Sequence, residues 1–309
     1  MVPSLLTILV PLALGVVGGL LRLFADADVA VAYVNRYPLY FAFPALVLGG
    51  IAGGDFEVPT EVVFWALPAV LLAALGGLAW GLGRTRALRT HAGPIALAGM
   101  FGNVAYLGLP VVESVLGERV LGRASLLSSL LLGGSLAAGP YLLARWSGGT
   151  APPGTFRRLL GQPLLWAPVV GLVARLVPPV AREPVLAALA PVGKSAGPVA
   201  LFALGLFLHA RRATLRQLGV PDVVAVGLRL VVAPGLALAL AVPAVALGWL
   251  SVETARIAVL LAGMPTGVTA FALATELRLG EEALARAVVA STLVAAVVVP
   301  VLAWIVLRL

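Results

Sequence analysis

The chain has 309 residues, of which 61% are hydrophobic and only 11% are charged, and its mean hydropathy is +1.08. A soluble domain carries roughly 25% charged residues, so this composition is typical of an integral membrane protein instead. The net charge of +8 does not indicate nucleic-acid binding, because the arginines are spread over alternate loops, and the absence of cysteine excludes disulfides and thiolate metal sites.

Apolar segments recur along the whole chain at lengths that suit a membrane-spanning helix, which needs about 20 apolar residues to cross a hydrocarbon layer of ~30 Å. We predict ten such spans, at residues 3–21, 36–54, 61–82, 93–116, 121–144, 162–179, 185–208, 222–248, 255–279 and 284–307. The connections are short, and none could fold as a soluble domain. No basic region or small-residue cleavage site accompanies the first span, so we expect it to stay in the protein.

The arginines in the connections alternate in number along the chain. The loops after the odd-numbered spans hold more than twice as many arginines as the loops on the opposite side, which also carries an acidic segment at 55–61. Cytoplasmic loops are enriched in positive charge, so we expect both termini on the non-cytoplasmic side. The chain is thus predicted to be a multi-pass protein, in the bacterial inner membrane.

Two segments of the first half recur in the second half, in the same order and at nearly the same separation. Ala98–Met100 matches Ala262–Met264, and Leu116–Ala124 matches Leu279–Ala287. This pattern predicts a duplicated unit, and five spans per repeat, an odd number, would invert the second repeat. Such membrane proteins are typically secondary transporters whose substrate binds where the repeats meet. The predicted organisation is a first repeat at 1–146, a cytoplasmic linker at 147–158 and a second repeat at 159–309.

Spans four and nine carry the repeated motif, and both contain helix-breaking residues, in Gly99–Pro110 and Gly263–Phe271. Inside a helix, glycine costs about 1 kcal/mol and proline about 3 kcal/mol relative to alanine. Broken helices are tolerated at membrane depth only where protein or a cavity surrounds the freed backbone groups. We therefore predict that the two broken helices cross near the midplane, with second halves that begin near Asn103 and Gly267. Two helix N-termini at the crossing would favour an anion. The alternative is that glycine and proline merely kink these spans.

At these residues the chain resembles the auxin efflux carrier family, which comprises the PIN-type carriers and their bacterial relatives. The motifs that carry the resemblance are Asn103-x-x-Tyr106-x-Gly108-x-Pro110 in span four and Pro265-x-Gly267-Val268-x-x-Phe271-x-x-Ala274-x-Glu276 in span nine. The arrangement of ten spans extends the resemblance over essentially the whole chain. Two departures are visible: Gly102 stands where the plant carriers have proline, and only Ser147–Thr155 separates the halves, without the long hydrophilic loop of many plant members.

The resemblance implies an inverted repeat of five plus five helices. Spans one, two, six and seven would form a scaffold domain, and spans three to five and eight to ten a moving transport domain. Family members carry organic anions, such as the indole carboxylate auxin in plants and small carboxylates such as malonate or malate in bacteria. A homodimer through the scaffold is a further expectation from the resemblance.

Asn103 is the polar residue that we most expect to contact a substrate. A buried amide must find partners, and its two donors and one acceptor suit a carboxylate. The alternative is that Asn103 caps the second half of span four. Tyr106 could donate its hydroxyl group or simply pack against a neighbour. The remaining substrate-site candidates from the two breaks are Gly102, Pro265, Thr266, Gly267 and Thr269.

Two further basic residues, Lys194 and Arg229, lie inside predicted spans. Lys194 is the only lysine of the chain. An ionisable residue within a span is a functional candidate, so Lys194 could pair with a substrate carboxylate or respond to protons. It could also bend towards the interface. For Arg229, which is nearer the cytoplasmic end of span eight, we expect this interfacial placement.

Candidates for coupling to a cation are fewer. Glu113 and Glu276 are acidic, but both lie towards the ends of their spans, where solvation is the simpler interpretation. The repeat also matches Ser128 and Ser129 with Ser291 and Thr292, whose hydroxyl groups could coordinate sodium or could bond to their own helix carbonyls. Proton coupling or electrogenic uniport, with Lys194 as a candidate, is weakly favoured over sodium.

The sequence therefore predicts an all-α transporter of a small organic anion, a mono- or dicarboxylate, that works by alternating access. The main alternative is a sodium-coupled bile-acid-type symporter, and a channel is less favoured. An enzyme is disfavoured because His91 and His209 are isolated and no hydrolase, metalloprotease or phosphate-binding motif is present. No cofactor, metal or nucleic acid is expected; the partners are the anion and membrane lipid.

Overall fold

The computed structural model describes residues 2–53, 58–146 and 161–309, and within these ranges all extended regular elements are helices. The predicted linker at 147–158 lies outside the described residues. The all-α class is confirmed for the part of the chain that the structure describes.

The helices follow one another with short connections. The first seven are α1 (Val2–Leu20), α2 (Ala27–Tyr37), α3 (Phe43–Ala52), α4 (Val62–Leu82), α5 (Ala92–Met100), α6 (Leu109–Leu116) and α7 (Leu121–Trp146). The others are α8 (Pro163–Ala174), α9 (Pro179–Lys194), α10 (Ala196–Ala210), α11 (Val220–Gly227), α12 (Ala233–Ala246), α13 (Val252–Ala262), α14 (Val268–Leu277) and α15 (Glu281–Val306). Wider π-helical turns at Pro38–Ala42, Val104–Gly108 and Leu228–Val232 run into α3, α6 and α12, and 3₁₀ turns lie at Arg89–His91, Glu118–Val120 and Arg212–Gln217.

Helix occupies each of the ten predicted spans. Among the described residues, five continuous helical stretches are long and apolar enough to cross a membrane, at Val62–Leu82, Glu118–Leu142, Pro179–Ala210, Val220–Ala246 and Glu281–Val306. Outward-facing aliphatic side chains such as Leu14 (55% exposed), Val180 (84%) and Val297 (70%) are what a lipid-facing surface requires. An integral membrane protein is thus supported, whereas the ten-span inverted repeat stays a prediction.

The second helical span begins earlier than predicted. Its first helix, α2, starts at Ala27 because the carboxylate of Asp26 accepts a hydrogen bond from the Val29 N–H, 3.0 Å away, and so caps the helix. Asn35, which precedes the predicted second span, lies within this helix. The sixth span is shorter than predicted, since α8 ends at Ala174.

The chain divides into two compact units. The first comprises Met1–Pro59, Ala105–Ser129 and Gly161–Arg212, and the second comprises Thr60–Val104, Leu130–Leu160 and Ala213–Leu309. Within the first unit, α1 packs closely on α10 through two glycines. A Cβ atom on Gly15 would collide with the Phe202 carbonyl, and one on Gly205 with the Leu12 carbonyl. Small residues allow this close backbone approach between membrane helices.

Within the second unit, a buried ion pair fixes the start of α11 against α15. Arg286 Nε lies 3.0 Å from Asp222 Oδ1, and the two side chains are 14% and 5% exposed. The Asp222 carboxylate also accepts a hydrogen bond of 2.8 Å from the Gly219 N–H, which precedes the helix. The pair therefore holds in place the helix that continues into the π-helical turn Leu228–Val232.

Candidate functional site

The first helix break lies between Met100 and Val104. The backbone leaves the helix at Phe101, with φ −86° and ψ 83°, and becomes helical again at Val104. Gly102 and Asn103 therefore form a short non-helical segment in the second unit. The break falls inside the segment that the glycines and the repeated motif single out.

The second break lies between α13 and α14, also in the second unit. Helix α13 ends at Ala262, and α14 begins at Val268 after Gly267 in an extended conformation with ψ 145°. Pro265 and Thr266 are buried within this break. Both predicted interruptions are thus present as changes of backbone conformation.

Antiparallel backbone hydrogen bonds join the two breaks to each other. The Asn103 N–H donates to the Pro265 carbonyl at 2.7 Å, and the Gly267 N–H donates to the Phe101 carbonyl at 2.8 Å. These two bonds correspond to each other in the internal repeat. The sequence offset that aligns Ala98–Met100 with Ala262–Met264 also aligns Phe101 with Pro265 and Asn103 with Gly267. Two of the backbone groups freed by each break are therefore satisfied by the other break, as membrane depth demands.

Each of the last four carbonyls of α5 has a donor within hydrogen-bonding distance. The Leu97 carbonyl accepts from the Phe101 N–H (2.9 Å). The Ala98 carbonyl accepts from Thr266 Oγ1 (3.1 Å), and the Met100 carbonyl lies 3.0 Å from Ser135 Oγ. The last four carbonyls of a helix have no partner within that helix. The remaining one here, the Gly99 carbonyl, accepts from Arg229.

Arg229 is the functional candidate that the sequence reasoning placed wrongly. It does not reach an interface: the residue is 3% exposed and lies in the π-helical turn Leu228–Val232. Its Nη1 donates to the Gly99 carbonyl (2.9 Å), its Nη2 to Leu261 (3.1 Å) and its Nε to Met264 (2.6 Å). The side chain thus binds carbonyls at the ends of both α5 and α13. The sequence feature that could have identified Arg229 is its charge inside a predicted span, because an ionisable residue there is a functional candidate by default.

Arg229 also accounts for the glycine at position 102. A Cβ atom on Gly102 would collide with Arg229 Nη2 and lie 2.6 Å from its Cζ. Any other residue there would displace the guanidinium group from the carbonyls that it binds. A small cavity of about 10 Å³, room for about one water molecule, adjoins Gly102, Arg229 and Ser135 in the second unit.

Asn103 has the unpaired donor of this region. The residue is 4% exposed, and within the described residues its buried Nδ2 donates to no acceptor. No hydrogen bond in the described part of the chain joins its side chain to the helix that follows, so the capping alternative finds no support. A buried polar group without a partner is uncommon and calls for an explanation, such as a ligand that completes it.

Thr266 differs from Asn103 because its hydrogen-bonding groups are engaged. The residue is fully buried, its hydroxyl group donates to Ala98, and its N–H donates to Ser291 Oγ at 3.0 Å. Thr269, in the first turn of α14, is only half-buried. Of the two threonines, Thr266 is therefore the one that holds the break together.

The first unit contains the other two substrate-site candidates. Tyr106 is buried, and its ring stacks on Phe43 with centroids 4.9 Å apart and planes 4° from parallel. Lys194 is exposed and ends α9. Ser195 follows as a turn residue before α10, and its Oγ donates to the Val192 carbonyl at 2.6 Å.

The predicted coupling residues divide by their surroundings. Glu113 and Glu276 are exposed. Ser128 is buried. The other hydroxyl groups bond to carbonyls of their own helices, in the pairs Ser129–Ser125 (2.8 Å), Ser291–Val288 (3.3 Å) and Thr292–Val288 (2.7 Å).

Comparisons with known proteins show similarity to membrane transporters. A family model described as membrane transport protein matches residues 153–303. A Rhizobium meliloti (strain 1021) protein named "Putative malonate transporter" is 25% identical over 299 residues, 92% of this chain and 90% of the relative. A Methanothermobacter thermautotrophicus (strain Delta H) protein named "Uncharacterized transporter" is 27% identical over 305 residues, 96% of this chain and 95% of the relative.

These names indicate transport rather than catalysis. Together they agree with the resemblance that the motifs of the two breaks carry, and they make the chain similar to membrane transport proteins.

Proposed function

We propose that the protein is a secondary active transporter that carries a small carboxylate across the membrane by alternating access. The observation that carries this proposal is the unpaired Nδ2 of Asn103 beside two hydrogen-bonded helix breaks. In a site surrounded by apolar helices, a donor of this kind gains most from a charged acceptor.

The breaks favour a negative ligand for a second reason. The helical segment Val104–Leu116 begins directly after Asn103, and α14 begins directly after Gly267. The first N–H groups of a helix lack partners within that helix and carry a partial positive charge. Asn103, these N–H groups and the half-buried Thr269 form the set of donors that we assign to the anion.

The substrate class follows from the donors and from the comparisons. The proposed site offers hydrogen-bond donors and no carboxylate of its own, so it suits a mono- or dicarboxylate. The name of the Rhizobium meliloti relative contains malonate. We therefore propose a malonate-like dicarboxylate as the first candidate, with Lys194 and Tyr106 as further candidate contacts. The indole carboxylate auxin is the second, from the family resemblance.

The division of the chain supports a moving transport domain. The helices of spans one, two, six and seven, the proposed scaffold, all lie in the first unit, whereas those of spans three, eight and ten lie in the second. Both breaks lie in the second unit. We propose that this unit carries the anion during transport and that the protein has the ten-span inverted repeat predicted from its sequence.

The test is a measurement of melting temperature on the detergent-purified protein with malonate, malate and indole-3-acetate, each as sodium and as potassium salt. A ligand at about 100 times its dissociation constant adds roughly 2.7 kcal/mol of stability. We expect a selective shift with one carboxylate in either salt. A shift only with sodium present would favour the bile-acid-type symporter, and a shift with cations or neutral solutes alone would contradict the proposal.

Two variants assign the site. Asn103→Ala should fold and lose the ligand-induced shift, because it removes the unpaired donor. Thr275→Ala is the matched control: Thr275 lies exposed on α14, and its hydroxyl group bonds only within its own helix in the described residues, to Phe271. A full carboxylate shift in Asn103→Ala would place the ligand elsewhere.

A further inference from the structure

The guanidinium group of Arg229 lies where a metal cation would be expected to bind in a transporter with broken helices. Carbonyl oxygens at the C-terminal ends of such helices form cation sites, because each end carries a partial negative charge. Here the carbonyls of Gly99, Leu261 and Met264 all accept from Arg229, at 2.6 to 3.1 Å.

No carboxylate among the described residues forms an ion pair with Arg229 at this site. Its positive charge is balanced by helix-end dipoles alone, in a residue that is 3% exposed. A buried charge is costly at membrane depth unless it is paired. The three carbonyls therefore have the composition of a cation site, and a side chain of the protein already fills it.

We infer that Arg229 is a tethered cation that takes the place of a coupling metal ion, so that substrate binding needs no sodium. The part of this inference that concerns substrate rests on the proposed function; the occupied cation site does not. A sodium ion would have to displace a guanidinium group that is covalently attached and bonded to three carbonyls. Ser291 and Thr292 are the second-repeat residues whose hydroxyl groups could coordinate sodium. Both hydroxyl groups already donate to the Val288 carbonyl.

The close packing at Gly102 provides an independent reason for the same inference. The space next to position 102 is taken by the guanidinium group, and a Cβ atom there would lie 2.6 Å from Arg229 Cζ. Gly102 and Arg229 therefore form a dependent pair: the arginine can occupy the cation site only while position 102 has no side chain.

The experiment compares melting temperatures in sodium, potassium and choline chloride, with and without methylguanidinium at a concentration too low to denature. The wild-type protein should melt at one temperature in all three salts. Arg229→Ala should melt lower, and methylguanidinium should restore at least half of the loss by occupying the vacated carbonyls; sodium should restore a smaller part. Arg211→Ala, which removes a half-buried arginine paired with Asp28, should respond to neither.

Two results would overturn the inference: a wild-type melting temperature or carboxylate shift that requires sodium, or an Arg229→Ala variant as stable as the wild type and indifferent to cations. If Arg229→Ala does not fold, Arg229→Lys takes its place. The lysine variant should fold with a lowered melting temperature and remain indifferent to sodium, and a sodium response in it would contradict the tethered cation. The comparisons of salts and methylguanidinium contain no substrate, so failure of every carboxylate to bind would reject the proposed function, while these comparisons would still test the inference.

Discussion

The two helix breaks have matching positions in the repeat but opposite chemistry. In the second break, Thr266 is fully buried, and both its hydroxyl group and its N–H are hydrogen-bonded. In the first, Asn103 is also buried, yet its Nδ2 has no partner within the described residues. The backbones support each other through two equivalent bonds, so the difference lies in the side chains. The side chain of the second break thus stabilises the structure, whereas the side chain of the first break has an unpaired donor.

The largest effect on stability should come from Gly102→Ala. The added Cβ would collide with the Arg229 guanidinium group, and overpacking of this kind costs about 3 kcal/mol. Gly267→Ala is the matched control, since its Cβ would lie 3.2 Å from the Gly102 carbonyl and needs a shift of only a few tenths of an ångström. Melting temperatures of both variants check this order, and a more severe loss in Gly267→Ala would contradict it.

A smaller loss should follow from Thr266→Val, which keeps the shape of the side chain and removes its hydroxyl group. The Ala98 carbonyl then loses its donor at the end of α5, at a cost of about 2 kcal/mol. Carboxylate affinity, measured by calorimetry, should change less than about twofold, because this threonine serves the fold. A large loss of affinity with unchanged stability would reverse the assigned roles of the two breaks.

The smallest effect should come from Ser291→Ala. Its Oγ accepts the Thr266 N–H at 3.0 Å, and loss of this single bond costs about 1 kcal/mol. The melting temperature should fall slightly in every salt alike. A loss of stability seen only in sodium would instead assign Ser291 to a sodium site.

The sequence predicts the positions of the breaks because their cause is local. Gly99, Gly102 and Pro265 disfavour a helix wherever they occur, and the repeated motif shows that the two interruptions correspond. The polar Asn103 in an apolar span is likewise visible without a structure. The start of α2 was missed by several residues because one side chain, that of Asp26, decides it.

The role of Arg229 could not be derived in the same way, because its partners are distant in the chain. It bonds to Gly99, 130 residues away, and to Leu261 and Met264, 32 and 35 residues away. Nearness to the cytoplasmic end of a span suggested an interfacial side chain, whereas the π-helical turn and the two helix ends bury it. The engagement of Thr266 with Ala98 depends on tertiary contacts in the same manner.

The most direct test of the account is counterflow of labelled malonate in proteoliposomes that contain the wild type, Asn103→Ala or Thr266→Val. The account predicts saturable counterflow in the wild type, a loss of about tenfold or more in apparent affinity for Asn103→Ala, and near-normal counterflow per folded molecule for Thr266→Val. Counterflow in Asn103→Ala equal to that of the wild type, or flux that never saturates, would contradict it.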